Sequence, residues 1–183
     1  IGINYLNEDN PSLIRDYSDL VNNVYKKLHK KIIIEPGRYL VGESGVLITR
    51  VIFKKKSQNK NFLIIDAGMN DFIRPALYDA KHNIKKIDLE NKNLPKLRYD
   101  IVGPICETAD TFGENIEFNK SIKAEDILYI EKVGAYGSVM SSHYNSRGSV
   151  EEILVNKKKY GTIKNVVSVN DIIEKEKIPS WLL

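Results

Sequence analysis

The chain has 183 residues, of which 42% are hydrophobic, and 28 Lys and Arg residues against 24 Asp and Glu residues give a net charge of +4. This composition is that of a globular protein with one sizeable core or two small lobes, and the weak, dispersed charge argues against nucleic-acid binding. The single cysteine excludes an internal disulfide, and no apolar run approaches the ~20 residues of a membrane-spanning helix. We therefore expect a soluble, cytoplasmic protein without a membrane or nucleic-acid partner.

The first predicted element is an amphipathic helix. Asn10 is a typical helix cap and Pro11 a typical first helical residue. Apolar residues then recur at spacings of three and four as far as the lysine-rich stretch 26–31: Leu13, Ile14, Tyr17, Leu20, Val21, Val24 and Leu28. The three isoleucines at 32–34 predict a short strand buried on both faces, as in a parallel α/β sheet. Because the chain opens with Ile-Gly-Ile, as if inside a strand, we expect a fragment of a longer protein.

After Gly42 and Gly45 the pattern becomes mainly β. Predicted strands, separated by turns, cover residues 46–53, 61–66, 97–102, 127–133, 150–155 and 164–169. A helical turn is predicted over 171–176, and the lysine runs at 54–56 and 157–159 are interpreted as solvated strand ends or turns. The predicted fold class is therefore α/β plus all-β, with the tail of an α/β domain over 1–45 and a β-rich domain over 46–183.

The first candidate site is "EPGR", residues 35–38, directly after the predicted strand 32–34. Ligands bind beyond the carboxyl ends of parallel strands. Gly37 would let backbone amides approach a phosphate, and Arg38 offers a bidentate donor for phosphate or carboxylate. A plain strand-to-helix turn with a surface ion pair is an equally good interpretation of these four residues alone.

Two further candidates follow in the β-rich part. Arg74 and Tyr78 are four residues apart, a helical spacing that would let both bind one carboxylate, although a structural salt bridge explains Arg74 equally well. Tyr136 lies in "GAYG", where small neighbours leave room for a ligand, although a packed turn tyrosine is more common. The three histidines have no metal-like spacing, so we expect no metal site.

The only cysteine, Cys106, lies beside Glu107 in "GPICETAD". A lone cysteine usually packs as a small hydrophobe, so packing is the default interpretation.

Together, these motifs resemble the C-terminal part of the diaminopimelate decarboxylase family, pyridoxal-phosphate enzymes of the alanine racemase-like fold. The resemblance rests on an ordered set of motifs, each of which is weak alone: "IGI", "EPGR", "DAGMNDFIRPALY", "VGPICETAD", "GAYG" and "YNSRG". It implies a (β/α)8 barrel that binds pyridoxal 5'-phosphate, followed by a C-terminal β-sandwich or β-barrel domain. This chain would supply the last barrel units, 1–45, and the β-domain, 46–183, whose final segment could return to the barrel. The lysine that holds the cofactor would lie in the absent N-terminal half, so we expect the chain alone to be inactive.

For the cofactor, the resemblance implies that Glu35 pairs with the nitrogen of the pyridoxal ring and keeps it protonated. Gly37 and Arg38 match residues that contact the phosphate, and Pro36 belongs to the same cofactor-binding motif. Arg38 also lies near the substrate in this family. Tyr136 matches a residue that contacts both cofactor and substrate.

For the substrate, Arg74 and Tyr78 match the pair that binds the distal carboxylate. Cys106 and Glu107 match a catalytic pair that reaches into the active site of the other subunit of a homodimer. Thiols in model peptides, with a pKa of ~8.5, can donate a proton near neutral pH. The resemblance therefore implies that Cys106 donates a proton to the carbon that has lost carbon dioxide. Glu107 would bind the distal ammonium group.

The function implied is decarboxylation of meso-2,6-diaminopimelate to L-lysine, the last step of lysine biosynthesis. Ornithine-type decarboxylases have an aspartate after the cysteine, and we expect no match in them to "MNDFIRPALY"; Glu107 and Arg74 therefore favour diaminopimelate. "CETAD" departs from the commoner "CESGD", and Gly148 stands where proline is frequent. Two alternatives stay open: a related decarboxylase of a carboxylated polyamine or basic amino acid, and a non-catalytic dimerising homologue.

Overall fold

A computed structural model describes residues 2–6, 11–87 and 94–182 of the chain. Its helices are α1 (Pro11–Leu28), α2 (Gly37–Val41), α3 (Arg74–Tyr78) and α4 (Val169–Ile173). Its strands are β1 (Leu47–Lys56), β2 (Asn61–Ile65), β3 (Ile84–Lys86), β4 (Lys96–Val102), β5 (Thr111–Asn119), β6 (Ile127–Ile130), β7 (Glu152–Asn156) and β8 (Lys159–Lys164). No helix among these residues is both long and apolar enough to cross a membrane.

Helix α1 confirms the periodic helix, although the proposed cap Asn10 lies outside the described residues. The strand predicted over 32–34 is wrong, because these residues form no strand and Ile33 is 77% exposed. A parallel strand exists only through hydrogen bonds to its neighbours, and no strand in the described part of the chain lies beside this segment. Three consecutive isoleucines indicate a segment that tends to be buried. They do not specify which neighbouring strands would bury it.

Six strands form one sheet in the order β3-β6-β1-β2-β4-β5. Neighbours are antiparallel except β2 and β4, which are parallel. The sheet curls so that its two edges approach, since a Cβ atom on Gly113 of β5 would lie 3.5 Å from Ile84 Cδ1 of β3. The β-barrel form of the prediction therefore fits this sheet better than the sandwich form. Inside the curl lies the core: Val51, Leu63, Ile65, Phe72, Tyr99, Ile101, Phe112, Phe118, Leu128 and Ile130.

Most predicted strands are present, with ends shifted by a few residues. The strand predicted over 127–133 ends at Ile130, because Lys132 adopts a left-handed conformation with φ 60°. Strand β5 was not predicted, because Gly113 and Asn115, with φ 56°, interrupt its apolar alternation. The strand predicted over 164–169 is wrong. β8 ends at Lys164 and pairs with β7 across a tight turn at 157–158, and Ser168 then caps α4.

The loop "GAYG" after β6 joins α2 to the sheet. The Gly134 amide donates to the Gly42 carbonyl at 3.1 Å, and the Val133 amide donates to the Gly45 carbonyl at 3.0 Å. A Cβ atom on Gly134 would overlap the Val41 carbonyl oxygen. Only glycine permits this approach, and it places α2 directly against the loop.

Gly134→Ala should therefore separate α2 from the sheet. We expect the free energy of unfolding of the complete protein to fall by about 1–3 kcal/mol, because backbone must move to accept the methyl group. Gly161→Ala is the matched control, since nothing lies within 4 Å of the Cβ position there, and it should change stability by less than about 0.5 kcal/mol. Urea denaturation of both variants measures the difference; equal stabilities would contradict the packing described.

Candidate active site

Three of the predicted site residues meet at one aromatic ring. The guanidinium carbon of Arg38, in α2, lies 5.2 Å from the centre of the Tyr136 ring. The guanidinium carbon of Arg74, at the start of α3, lies 5.8 Å from the same centre. Both distances allow cation–π attraction. Arg38 and Arg74, which lie 98 and 62 positions before Tyr136 in the sequence, are thus brought together by the fold.

The backbone at Tyr136 is unusual for an aromatic residue. Its φ of 61° lies in the left-handed region, which bulky side chains rarely adopt. Ala135 precedes it and Gly137 follows it, and a Cβ atom on Gly137 would collide with the Val133 carbonyl oxygen. Strain of this kind persists where the surrounding structure imposes it, and it is common at ligand sites.

Arg74 is a buried cation without an acidic partner among the described residues. It is 6% exposed, and no carboxylate in the described part of the chain forms an ion pair with it. Its Nη1 donates to the hydroxyl of Tyr5, and its guanidinium carbon lies 4.4 Å from the centre of the Tyr5 ring. Its Nε is buried without a hydrogen-bond partner among the described residues. The structural salt bridge considered as an alternative for Arg74 is therefore not found within residues 2–6, 11–87 and 94–182.

Other predicted residues stand apart from this cluster. Helix α3 confirms the helical spacing of Arg74 and Tyr78, but Tyr78 is 60% exposed and makes no polar contact with the described residues. Glu35 is exposed and forms no ion pair with the described residues. Pro36 precedes α2, and Gly37 is its first residue, with nothing within 4 Å of its Cβ position.

Cys106 and Glu107 occupy an exposed turn between β4 and β5. The Cys106 thiol is free and exposed, so the packing interpretation is not supported. The Glu107 carboxylate accepts a hydrogen bond from the Ala109 amide at 3.2 Å. Within the described ranges, neither side chain makes a hydrogen bond or ion pair with Arg38, Arg74 or Tyr136.

The turn is nevertheless tied to the loop that leads to Arg74, through the buried carboxylate of Asp110. One Asp110 oxygen accepts from the Met69 amide and the other from the Ile105 amide, each at 2.7 Å. Burial raises the pKa of Asp110, while these two hydrogen bonds and the nearby Arg147 oppose that rise. Asp110 thus fixes the "GPICETAD" turn against "DAGMND".

Arg147, in "YNSRG", holds the same loop from the other side. Its Nε donates to Asn70 Oδ1 at 3.0 Å, and its Nη2 donates to the Asp66 carbonyl at 2.8 Å. Nη2 also lies 3.9 Å from the buried Asp71 carboxylate, whose pKa is raised by burial. Asp110 and Arg147 were inside recognised motifs, but no role was predicted for either.

The histidines serve no metal site among the described residues. His29 and His143 are exposed, whereas His82 is buried beside Tyr5, with ring centres 4.5 Å apart. His82 Nδ1 lies 2.9 Å from the Glu131 carbonyl oxygen. Burial is the main cause that lowers the pKa of His82 to about 4, so the ring is neutral at pH 7. Its described contacts are ring packing against Tyr5 and Phe72 and the hydrogen bond to the Glu131 backbone.

This fold and site define a class of protein. Residues 17–134 match the family described as pyridoxal-dependent decarboxylase, C-terminal sheet domain. The chain belongs to this family.

The similar proteins are more specific. Diaminopimelate decarboxylase of Helicobacter pylori is 45% identical over 172 residues, which cover 94% of this chain and 42% of that protein. Diaminopimelate decarboxylase of Zymomonas mobilis is 39% identical over 183 residues, covering 100% of this chain and 42% of that protein. The chain thus spans 42% of the length of these relatives.

A solved structure is similar over the same region. The crystal structure of diaminopimelate decarboxylase from M. jannaschii in co-complex with L-lysine matches with a TM-score of 0.83 and 36% identity. The match covers 92% of this chain and 39% of that one.

Proposed function

We propose that the complete protein containing this chain is a pyridoxal-phosphate-dependent decarboxylase that converts meso-2,6-diaminopimelate into L-lysine and carbon dioxide. One observation carries the proposal: Arg38 and Arg74 face the ring of Tyr136, and no described acid neutralises the buried Arg74. Two cations in this arrangement favour an anionic ligand. The cofactor carries an anionic phosphate and the proposed substrate carries two carboxylates, and the relatives named above carry this activity in their names.

The residues of "EPGR" fit the cofactor by their chemistry. Arg38 supplies a guanidinium and Gly37 an open backbone approach, which suit a phosphate group. The exposed Glu35 carboxylate can accept a hydrogen bond from a protonated ring nitrogen. When bound, the cofactor supplies an electron sink for the electron pair left behind by carbon dioxide. In this proposal Glu35, Pro36, Gly37, Arg38 and Tyr136 form the part of its site that this chain contributes.

The distal end of diaminopimelate carries one carboxylate and one ammonium group. Arg74 binds the carboxylate, with Tyr78 exposed one helical turn further along α3. Glu107 binds the ammonium, since its exposed carboxylate is free of any cation among the described residues. A diamine-forming relative needs only the ammonium binder, so the pairing of Arg74 with Glu107 is what selects a zwitterionic end.

Cys106 donates the proton that replaces carbon dioxide. A thiol can act as a general acid toward a carbon base, and the exposed position of Cys106 leaves its Sγ accessible to a substrate. Because Cys106 and Glu107 lie on an exposed turn and make no polar contact with Tyr136 among the described residues, we assign them to the active site of the second subunit of a homodimer. The first subunit supplies Arg38, Arg74 and Tyr136 to that site.

The substrate is tested with the complete protein and four compounds: meso-diaminopimelate, L-lysine, L-ornithine and a carboxylated polyamine. We expect carbon dioxide release and L-lysine formation from meso-diaminopimelate alone. Preference for the carboxylated polyamine or a basic amino acid would establish the related-decarboxylase alternative instead. Cofactor binding with no turnover of any of the four would favour the non-catalytic homologue.

The role of Cys106 is tested by Cys106→Ala in the complete protein. Turnover should fall between about 10²- and 10⁴-fold, the usual contribution of a positioned proton donor, while cofactor absorbance persists. Thr108→Ala is the control, because Thr108 is exposed in the same turn and makes no side-chain hydrogen bond with the described residues. Steady-state kinetics of both variants measure the difference in turnover. Unchanged turnover in Cys106→Ala would contradict the proposal that Cys106 is the proton donor.

A further inference from the structure

Tyr5 is a residue to which the sequence motifs assign no role, yet it makes the main contacts of the buried Arg74. The Arg74 guanidinium lies over its ring, 4.4 Å from the centre, and Nη1 also bonds its hydroxyl. The two residues are 69 positions apart. Tyr5 belongs to the segment predicted to come from the barrel, whereas Arg74 belongs to the sheet domain.

Tyr5 is itself held in place by its surroundings. Its ring packs against His82 with an interplanar angle of 54°, and His82 packs edge-on against the buried Phe72. The backbone beside Tyr5 is fixed as well, since Asn83 Nδ2 donates to the Leu6 carbonyl at 3.0 Å. Tyr5 therefore has one well-defined position from which to orient a neighbour.

A phenol affects a guanidinium differently from a carboxylate. It accepts a hydrogen bond and offers its ring face, but it carries no negative charge that would neutralise the cation. The neighbouring His82 is neutral at pH 7, so it adds no competing positive charge. Arg74 thus keeps its full charge, and its Nε is not engaged by any described residue.

We propose that Tyr5 is a positioning residue that sets the Arg74 guanidinium for the distal carboxylate of the substrate, and thereby contributes to specificity. This inference rests on the proposed function. It gives the barrel segment a direct part in substrate choice, through a contact with the sheet domain.

The test uses Tyr5→Phe in the complete protein, with Tyr160→Phe as the matched control because Tyr160 is 82% exposed. Loss of a hydrogen bond to a charged group corresponds to about tenfold or more in binding. The KM for meso-diaminopimelate should therefore rise about tenfold in Tyr5→Phe, with kcat within about twofold of the unaltered protein. Tyr160→Phe should change neither constant.

Two inhibitors separate positioning from general damage. L-lysine keeps the distal carboxylate, whereas 1,5-diaminopentane lacks it. Tyr5→Phe should weaken L-lysine binding about tenfold and leave 1,5-diaminopentane binding unchanged. In an Arg74→Lys background the same substitution should change lysine binding less than about twofold, because Tyr5 acts through Arg74.

Equal losses for the two inhibitors, or a Tyr5→Phe protein that behaves like Tyr160→Phe, would overturn the inference. Equal affinity of the unaltered protein for L-lysine and 1,5-diaminopentane would also overturn the inference, because Arg74 would then not contribute to binding the carboxylate. Absence of carbon dioxide release from meso-diaminopimelate overturns the proposed function alone, since the inhibitor comparison needs only binding, followed by the absorbance of the bound cofactor.

Discussion

The site depends on a buried guanidinium that, in the part of the chain that the structure describes, is held by aromatic rings and not by an acid. Burial of an uncompensated charge is costly, and proteins usually balance it with a carboxylate. Here the Tyr5 hydroxyl and the faces of Tyr5 and Tyr136 stabilise Arg74 without cancelling its charge. The positive charge is therefore preserved for a ligand, and this feature connects the fold to the proposed binding of a substrate carboxylate.

The surrounding polar contacts fix the position of the Arg74 guanidinium relative to the rest of the site. Arg147 holds the loop that leads to Arg74 through Asn70, a contact between residues 77 positions apart. Asp110 ties the Cys106 turn to the same loop through the Met69 amide, 41 positions away. The loop before α3 is thus fixed from two sides. A substitution of Asp110 or Arg147 would therefore displace both Arg74 and the turn that carries Cys106.

The sequence predicts the features that depend on neighbouring residues better than those that depend on contacts between distant residues. Helix α1 and most strands follow from local periodicity, which one segment carries by itself. The strand predicted over 32–34 failed because its partners are not set by its own residues, and β5 was missed because Gly113 and Asn115 break its pattern. Arg38, Arg74 and Tyr136 were found as motif residues, and the fold brings them together. Tyr5 was not found, because its importance arises only from a contact 69 residues away.

A crystal structure of the complete protein with pyridoxal 5'-phosphate and L-lysine would show whether Arg74 binds the distal carboxylate. We expect the lysine carboxylate at hydrogen-bond distance from the Arg74 guanidinium, with Tyr5 still in contact with Arg74. We also expect Cys106 and Glu107 to reach the same lysine from the second subunit. A carboxylate bound elsewhere, or Arg74 paired with an acidic side chain of the barrel, would contradict this binding mode.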